Sequence, residues 1–376
     1  MWDIQLFKLN FDNQEKNAVI DVVDSEWLTM GERTSKFEEN FSKYHGKDVY
    51  ATSTSNCTAS LHMSLLALGI KDGDEVIIPA LTFVADANVV RMTGAKPVLA
   101  DSSSEDDWNV SAETINNCIT PKTKAVIVVH YAGYTCNMPE IFKLCKEKNI
   151  KLIEDVAHAP GSSIGDKKSG TWGDVGCFSF FSNKNISVGE GGMAITKDAD
   201  IHNKLQYLRS HGMTSLTFDR HKGRSISYDV TKPGLNYRID EIRSALGIVQ
   251  LSKLDEGNKR RKSLTELYRS ELKDSKFSMP FSIRPNNEIA SYHILPILLP
   301  EDFKREDVIN YLKSNKIQSS IHYPAFWEFS AFKKDFNKTD TPITNIITKR
   351  QLTLPLYPTM SDNDVKKVCR TLLKYK

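Results

Sequence analysis

The sequence predicts an α/β fold, with a large domain built on a mostly parallel sheet sandwiched by helices and a smaller C-terminal α+β domain. Three observations lead there. Short, continuously apolar runs recur through the first ~250 residues, as strands buried on both faces require. Helical stretches separate them, giving the β-α-β alternation of a parallel sheet. After about Asp255 the texture changes, with a basic cluster at Lys259-Arg260-Arg261-Lys262 inside a long amphipathic stretch. The chain has 376 residues, and chains beyond ~250–300 residues usually divide. The expected division is 1–250 and 251–376.

The strands of the large domain are read from their apolar, β-branched runs. They are Val76-Ile77-Ile78, Pro97 to Ala100, Lys124 to Val129, and Lys151-Leu152-Ile153-Glu154. A helix is expected from Thr58 to Leu68, where Leu61, Leu65, Leu66 and Leu68 form an apolar face, and another from Met138 to Lys148. Amphipathic character runs from roughly Ile239 to Leu272. An apolar run follows at Tyr292 to Leu299, then helices near Lys304–Lys313 and Asp362–Leu373.

Composition narrows the partners. Lys+Arg 50 against Asp+Glu 47 gives a net charge of +3, too little to mark a nucleic-acid binder. No apolar run approaches the ~18 residues of a membrane helix, and the first residues do not resemble a secretion signal. The six cysteines form no C-x-x-C pair. Reduced thiols and a cytoplasmic location are therefore expected. Asn56-Cys57-Thr58 and Asn185-Ile186-Ser187 match a glycosylation pattern that has no meaning in that compartment. No P-loop and no H-E-x-x-H occurs, and no metal site is expected.

The chemistry concentrates in residues 152–196. Asp155 ends a buried strand, where ligands of open α/β sheets bind. A carboxylate there can pair with a protonated ring nitrogen, as pyridoxal phosphate (PLP) requires to act as an electron sink. It can equally cap a following helix. Lys184 follows the apolar run Phe178-Ser179-Phe180-Phe181. Desolvation there favours the neutral amine that forms a Schiff base, although a lone loop lysine is usually just a surface residue. Asp155, Ser179 and Lys184 are expected in order on successive strands of one sheet. Ser55-Asn56-Cys57-Thr58-Ala59-Ser60 starts a helix with small polar residues. Such a start is either a phosphate cradle or an ordinary N-cap. Gly189-x-Gly191-x-x-Ala194 mimics a dinucleotide fingerprint, but that fingerprint opens a helix. Here Met193-Ala194-Ile195-Thr196 reads as a strand, so nicotinamide binding is rejected.

Together these segments resemble the DegT/StrS-type sugar aminotransferases, of the aspartate aminotransferase fold type. The resemblance runs from Trp27-Leu28-Thr29-Met30-Gly31 through Gly73 to Pro79, Glu154-Asp155 and the Phe178–Gly192 block. It continues in Arg209-Ser210-His211-Gly212, Gly234 to Arg238 and Leu354-Pro355-Leu356. It implies a PLP-dependent aminotransferase, with Lys184 as the lysine that carries the cofactor and Asp155 as the partner of its ring nitrogen. It places His158 near the phenolic oxygen and Phe83 over the ring. Thr58, the Ala59 backbone and Ser179 become phosphate ligands. Asn236 is similar to an asparagine that reaches the neighbouring subunit's phosphate, which implies a homodimer with shared active sites. Arg238, His322 and Tyr323 are candidates for the acceptor.

The implied reaction moves an amino group from an amino acid, L-glutamate, to the keto group of a nucleotide-linked keto-deoxy-sugar. Two positions depart from the pattern. Cys57 stands where many members have Gly, and Trp327 stands where a second His is frequent. Three other readings stay open: an aminotransferase for a smaller phosphorylated ketone, a PLP-dependent sugar dehydratase, and a non-catalytic regulatory protein. Lys184 speaks against the dehydratase, and the pair Lys184 and Asp155 against the regulator.

Overall fold

The computed structural model describes residues 1–214, 227–336 and 340–375. Seven strands form the main sheet: β1 (Tyr50–Thr54), β2 (Glu75–Pro79), β3 (Lys96–Ala100), β4 (Thr123–Val129), β5 (Lys151–Asp155), β8 (Val175–Ser179) and β9 (Gly192–Thr196). Their order is β1-β9-β8-β5-β4-β2-β3. The pairs β2–β3, β2–β4, β4–β5 and β5–β8 are parallel, while β9 runs against both β8 and β1. The expected mostly parallel sheet is present. Between β5 and β8 lies a small hairpin of β6 (Ser163–Ile164) and β7 (Lys167–Lys168), extended by β10 (Glu288–Ile289).

The apolar runs sit where their composition sends them. Val76, Ile77 and Ile78 of β2 and Val126, Ile127 and Val128 of β4 are fully buried. Helices cover both faces. Cys57–Ala67 packs with Val76, Ile78, Ile127 and Ile153 on one side, and Met138–Glu147 packs with Ile77, Val126 and Val128 on the other. Glycine permits the close approaches. A Cβ on Gly192 of β9 would stand 2.5 Å from the Asn56 carbonyl carbon. The bare backbone there lets the start of the Cys57–Ala67 helix press against the sheet.

The amphipathic stretch near 239–272 is two helices rather than one, Glu241–Ser252 and Leu254–Glu271. The break falls at Lys253, whose ammonium is held by Asp12 and Glu15 of the first helix, Asn13–Asp24. Beyond it, β11 (Leu295–Leu298) and β12 (Gln351–Leu354) pair antiparallel. They share an apolar cluster with the helices Arg305–Ser314 and Asp362–Leu373. Ile4 is buried in the same cluster and bridges to Ile317, so the first residues pack with the C-terminal part. Among the described residues, no helix is long and apolar enough to cross a membrane.

The segment carrying Asp155 is anchored by its neighbour Glu154, which is wholly buried. The Glu154 carboxylate accepts N–H groups from Gly170, Trp172 and Gly173 at 2.7–2.8 Å and faces His130 Nε2 at 3.1 Å. A buried carboxylate persists when its oxygens are filled in this way. The alternation of strand residues then turns Asp155 to the opposite face.

Candidate active site

A cavity of about 630 Å³ opens at the carboxyl ends of β4, β5 and β8, facing the N-terminus of the Cys57–Ala67 helix. Thr58, Ala59, Phe83, Asp155 and His158 line it, as do Ser179, Lys184, His322 and Tyr323. Asn236 and Arg238 are not among its lining residues, although Tyr237 between them is. The backbone there is extended enough for Asn236 to bridge to Ser210, so neighbouring side chains face opposite ways.

Asp155 ends β5 and Ser179 ends β8, in neighbouring parallel strands whose register sets Asp155 beside Cys177. Lys184 is not on a strand, contrary to the sequence expectation. The β8 strand ends at Ser179, and Phe180 and Phe181 then pair with Gly191 and Gly189. Lys184 sits in the resulting turn, with its N–H donating to the Phe181 carbonyl at 2.9 Å. Burial lowers its ammonium pKa from 10.5 to about 8, while the Asp155 carboxylate pulls the other way. The amine therefore becomes neutral in a range where an exposed lysine stays charged.

Burial raises the Asp155 pKa, and an N–H from Ala157 (2.8 Å) and the charge of Lys184 oppose that rise. No helix begins after Asp155, since residues 156–162 form turns. The plain helix-cap alternative is thereby removed. Cys57 lies against the same carboxylate, with its thiol 3.9 Å from Asp155 Oδ1.

The helix start differs in detail from expectation. Asn56 is the N-cap, and its side chain takes the Ala59 N–H at 2.8 Å. The Ser60 N–H goes to the Asn56 carbonyl. Of the four N–H groups a helix leaves unpaired at its start, that of Ala59 is taken by the cap, and the other three belong to Asn56, Cys57 and Thr58, which line the cavity. Thr58 and Ser179 bring hydroxyl side chains to the same lining. Ala59 thus lines the cavity with its backbone donor already engaged.

His158 is buried, and its Nδ1 accepts the Ala132 N–H at 3.2 Å. Its Nε2 therefore carries the proton and donates to the Tyr323 hydroxyl at 2.7 Å. Burial holds His158 well below its ordinary pKa, hence neutral. The Phe83 ring is half exposed at the mouth, 5.4 Å from the Tyr323 ring. The His322 ring is fixed by Thr353 Oγ1 at 2.9 Å, and burial lowers its pKa to about 3.

Two residues escaped the sequence reading. His293 places Nε2 3.5 Å from Lys184 Nζ. Its only sequence signal was a histidine ahead of an apolar run, 109 residues downstream. Asp86 is fully buried, and one oxygen accepts the Thr82 hydroxyl. The other has no partner among the described residues. Burial and the nearby Asp155 raise the Asp86 pKa well above the ordinary carboxyl range.

These features define a class. A desolvated lysine and a buried aspartate face each other across a helix N-terminus, at the carboxyl ends of a mostly parallel sheet. The residues fit PLP, with an amine for its carbonyl, a carboxylate for its ring nitrogen, and N–H and hydroxyl donors for its phosphate. Comparison with known proteins agrees. Residues 10–373 match the DegT/DnrJ/EryC1/StrS aminotransferase family. An uncharacterized protein of Methanocaldococcus jannaschii is 38% identical over 98% of this chain and 96% of its own length. The GDP-perosamine synthase of Vibrio cholerae is 35% identical, with 99% of each chain covered. A Streptococcus pneumoniae structure described as a putative sugar aminotransferase in its PLP form superposes with a TM-score of 0.89. It is 28% identical, with coverage of 97% of this chain and 96% of that one. The chain belongs to the DegT/DnrJ/EryC1/StrS family and is a PLP-dependent aminotransferase.

Asp86 yields a test of the cavity's electrostatics. From about pH 4 upward the unfolded chain releases this proton while the folded chain retains it. Folding stability therefore falls by up to ~1.4 kcal/mol per pH unit through this group. Asp86→Asn keeps an oxygen for the Thr82 hydroxyl and removes the titration. Its stability relative to wild type should be flat below pH 4 and rise from pH 5 to 7 in urea unfolding of the cofactor-free protein. A difference independent of pH would contradict a protonated Asp86.

Proposed function

We propose that this enzyme transfers an amino group from L-glutamate to the keto group of a nucleotide-linked keto-deoxy-sugar. The observation that carries the transfer chemistry is the meeting of Lys184 and Asp155 in one cavity. The acceptor class draws support from the similarity to GDP-perosamine synthase, whose named product is nucleotide-linked.

Bound PLP supplies the electron sink for charge developing at the substrate carbon. The protein's own groups do the rest. Lys184 would hold the cofactor through its amine. Its amine, when freed by the donor, would carry the proton from the donor Cα to the cofactor's carbonyl carbon, as a positioned general acid–base. Asp155 would keep a proton on the cofactor's ring nitrogen by electrostatic attraction in a dry setting. His158 and Tyr323, linked by their hydrogen bond, orient oxygen atoms at the same wall. His322 and Tyr323 are well placed to meet the acceptor, because they line the cavity from the later part of the chain.

Asn236 and Arg238 suit a different role, in the site of a second copy. Asn236 is exposed and outside its own chain's cavity. It does not cap the helix that follows, because Asp240 does so by accepting the Arg243 N–H at 2.8 Å. A homodimer in which Asn236 reaches the partner's phosphate fits both facts, and Arg238 would then approach the partner's acceptor.

Two experiments test this reading. Enzyme converted to its amino-loaded form with L-glutamate should turn over keto-sugar nucleotides at least ~10²-fold faster than small keto-phosphates. That ratio corresponds to ~2.7 kcal/mol of barrier. Equal or reversed rates would reject the acceptor class. In the second, Lys184→Ala and Asn236→Asp chains, each inactive, are mixed and allowed to exchange. Random pairing makes about half the dimers mixed, so roughly a quarter of sites should recover under two-fold symmetry. No recovery after verified exchange would place both residues in the same chain's site.

A further inference from the structure

We infer that His293 is a positioning residue for Lys184, offering a lone pair on which the lysine amine rests whenever it is not bonded to the cofactor. The inference rests on the reading of Lys184 as the reacting amine. It follows from a hydrogen-bond network whose donors and acceptors leave no choice.

Asn185 sets the direction. Its Nδ2 lies 2.8 Å from the Ser291 carbonyl and 2.7 Å from Asn258 Oδ1. A carbonyl only accepts, so that end of Asn185 is the NH₂ group. Asn258 is fixed in the same way, with its own Nδ2 donating to the Pro160 carbonyl at 2.9 Å. Asn185 therefore turns its oxygen to His293 Nδ1, at 2.9 Å. That oxygen only accepts, so Nδ1 carries the proton. The neutral imidazole is left with a lone pair on Nε2, and Nε2 faces Lys184 Nζ at 3.5 Å.

The ring cannot easily turn away. It is 2% exposed, and its backbone is tied by N–H donation to the Ala132 carbonyl at 2.8 Å and by Arg261, which donates to the His293 carbonyl at 3.0 Å. The His158 ring packs 4.5 Å from it. Burial, together with the charges of Lys184 and Arg261, keeps His293 neutral beside the neutral rings of His158 and His322. The Asp155 carboxylate acts on the same amine. A contact at 3.5 Å is at the outer limit of a hydrogen bond. That weakness suits a resting place the amine must leave for each proton transfer. Lys184 thus rests against His293 between steps, instead of pairing closely with Asp155 and removing the carboxylate from its own task.

The test reads the lysine directly, in the full-length chain freed of cofactor. Acetic anhydride labels neutral amines, and mass spectrometry of the Lys184 peptide follows the reaction from pH 5 to 10. In wild type the midpoint should lie near 8. His293→Phe fills the volume and removes the acceptor, so the ammonium form loses its partner. Labelling at pH 6 should rise about tenfold, the change expected for loss of one hydrogen bond to a charged group. His293→Gln restores an acceptor oxygen and should return labelling toward wild type. Should His293→Phe fail to fold, Asn185→Leu releases the tautomer and should shift labelling in the same direction. In the loaded enzyme, His293→Phe should slow both half-reactions together, because the same amine serves both. Unchanged labelling in the Phe variant, or a Gln variant that matches the Phe variant, would overturn the inference. Because labelling is read without cofactor, that outcome leaves the assignment of Lys184 as cofactor lysine intact. Conversely, a cofactor attached elsewhere would reject that assignment and the catalytic role of the contact, while the labelling would still report the His293–Lys184 contact itself.

Discussion

The desolvation of Lys184 opposite the carboxylate of Asp155 is the constraint on which the site depends. Each group is driven toward its neutral form by burial and toward its charged form by the other. The balance leaves an amine whose pKa is brought down to about 8 and a carboxylate ready to ionise against a cation. Neither state would persist on an exposed surface, where water would return both groups to their usual ranges. The sheet supplies the dry wall, because β4, β5 and β8 are buried along the runs that end at the cavity.

Much of the remaining structure holds those two groups apart and aligned. Glu154 gathers three backbone N–H groups and His130, fixing the strand that ends in Asp155. Gly192 brings the Cys57–Ala67 helix against the sheet, so its free N–H groups open on the same cavity. The network from Asn258 through Asn185 to His293 ends at the Lys184 amine. Rigid supports of this kind keep reacting atoms within the narrow geometry that proton transfer demands.

The sheet was legible in the sequence because strands buried on both faces must be continuously apolar, as Val76–Ile78 and Lys124–Val129 are. Asp155 was legible because it ends such a run, and Lys184 because it follows another. The position of Lys184 in a turn was not, since β8 stops only through long-range pairing of Phe180 and Phe181 with Gly191 and Gly189. The choice of Asn56 as N-cap was hidden among four neighbouring residues able to cap. His293 was hidden more deeply. Its contact with Lys184 spans 109 residues and depends on two asparagine amides whose orientation only backbone carbonyls determine. The two sides of the Asn236-Tyr237-Arg238 segment likewise separate only in three dimensions.

The central claim is that Lys184 is the amine that binds the cofactor, and its most direct measurement is chemical. Borohydride reduction of the PLP-loaded protein, followed by proteolysis and mass spectrometry, locates the lysine to which the cofactor is attached. The cofactor mass should appear on the peptide containing Lys184, and Lys184→Ala protein treated identically should carry none. Label on any other lysine, or label that survives in Lys184→Ala, would contradict the account.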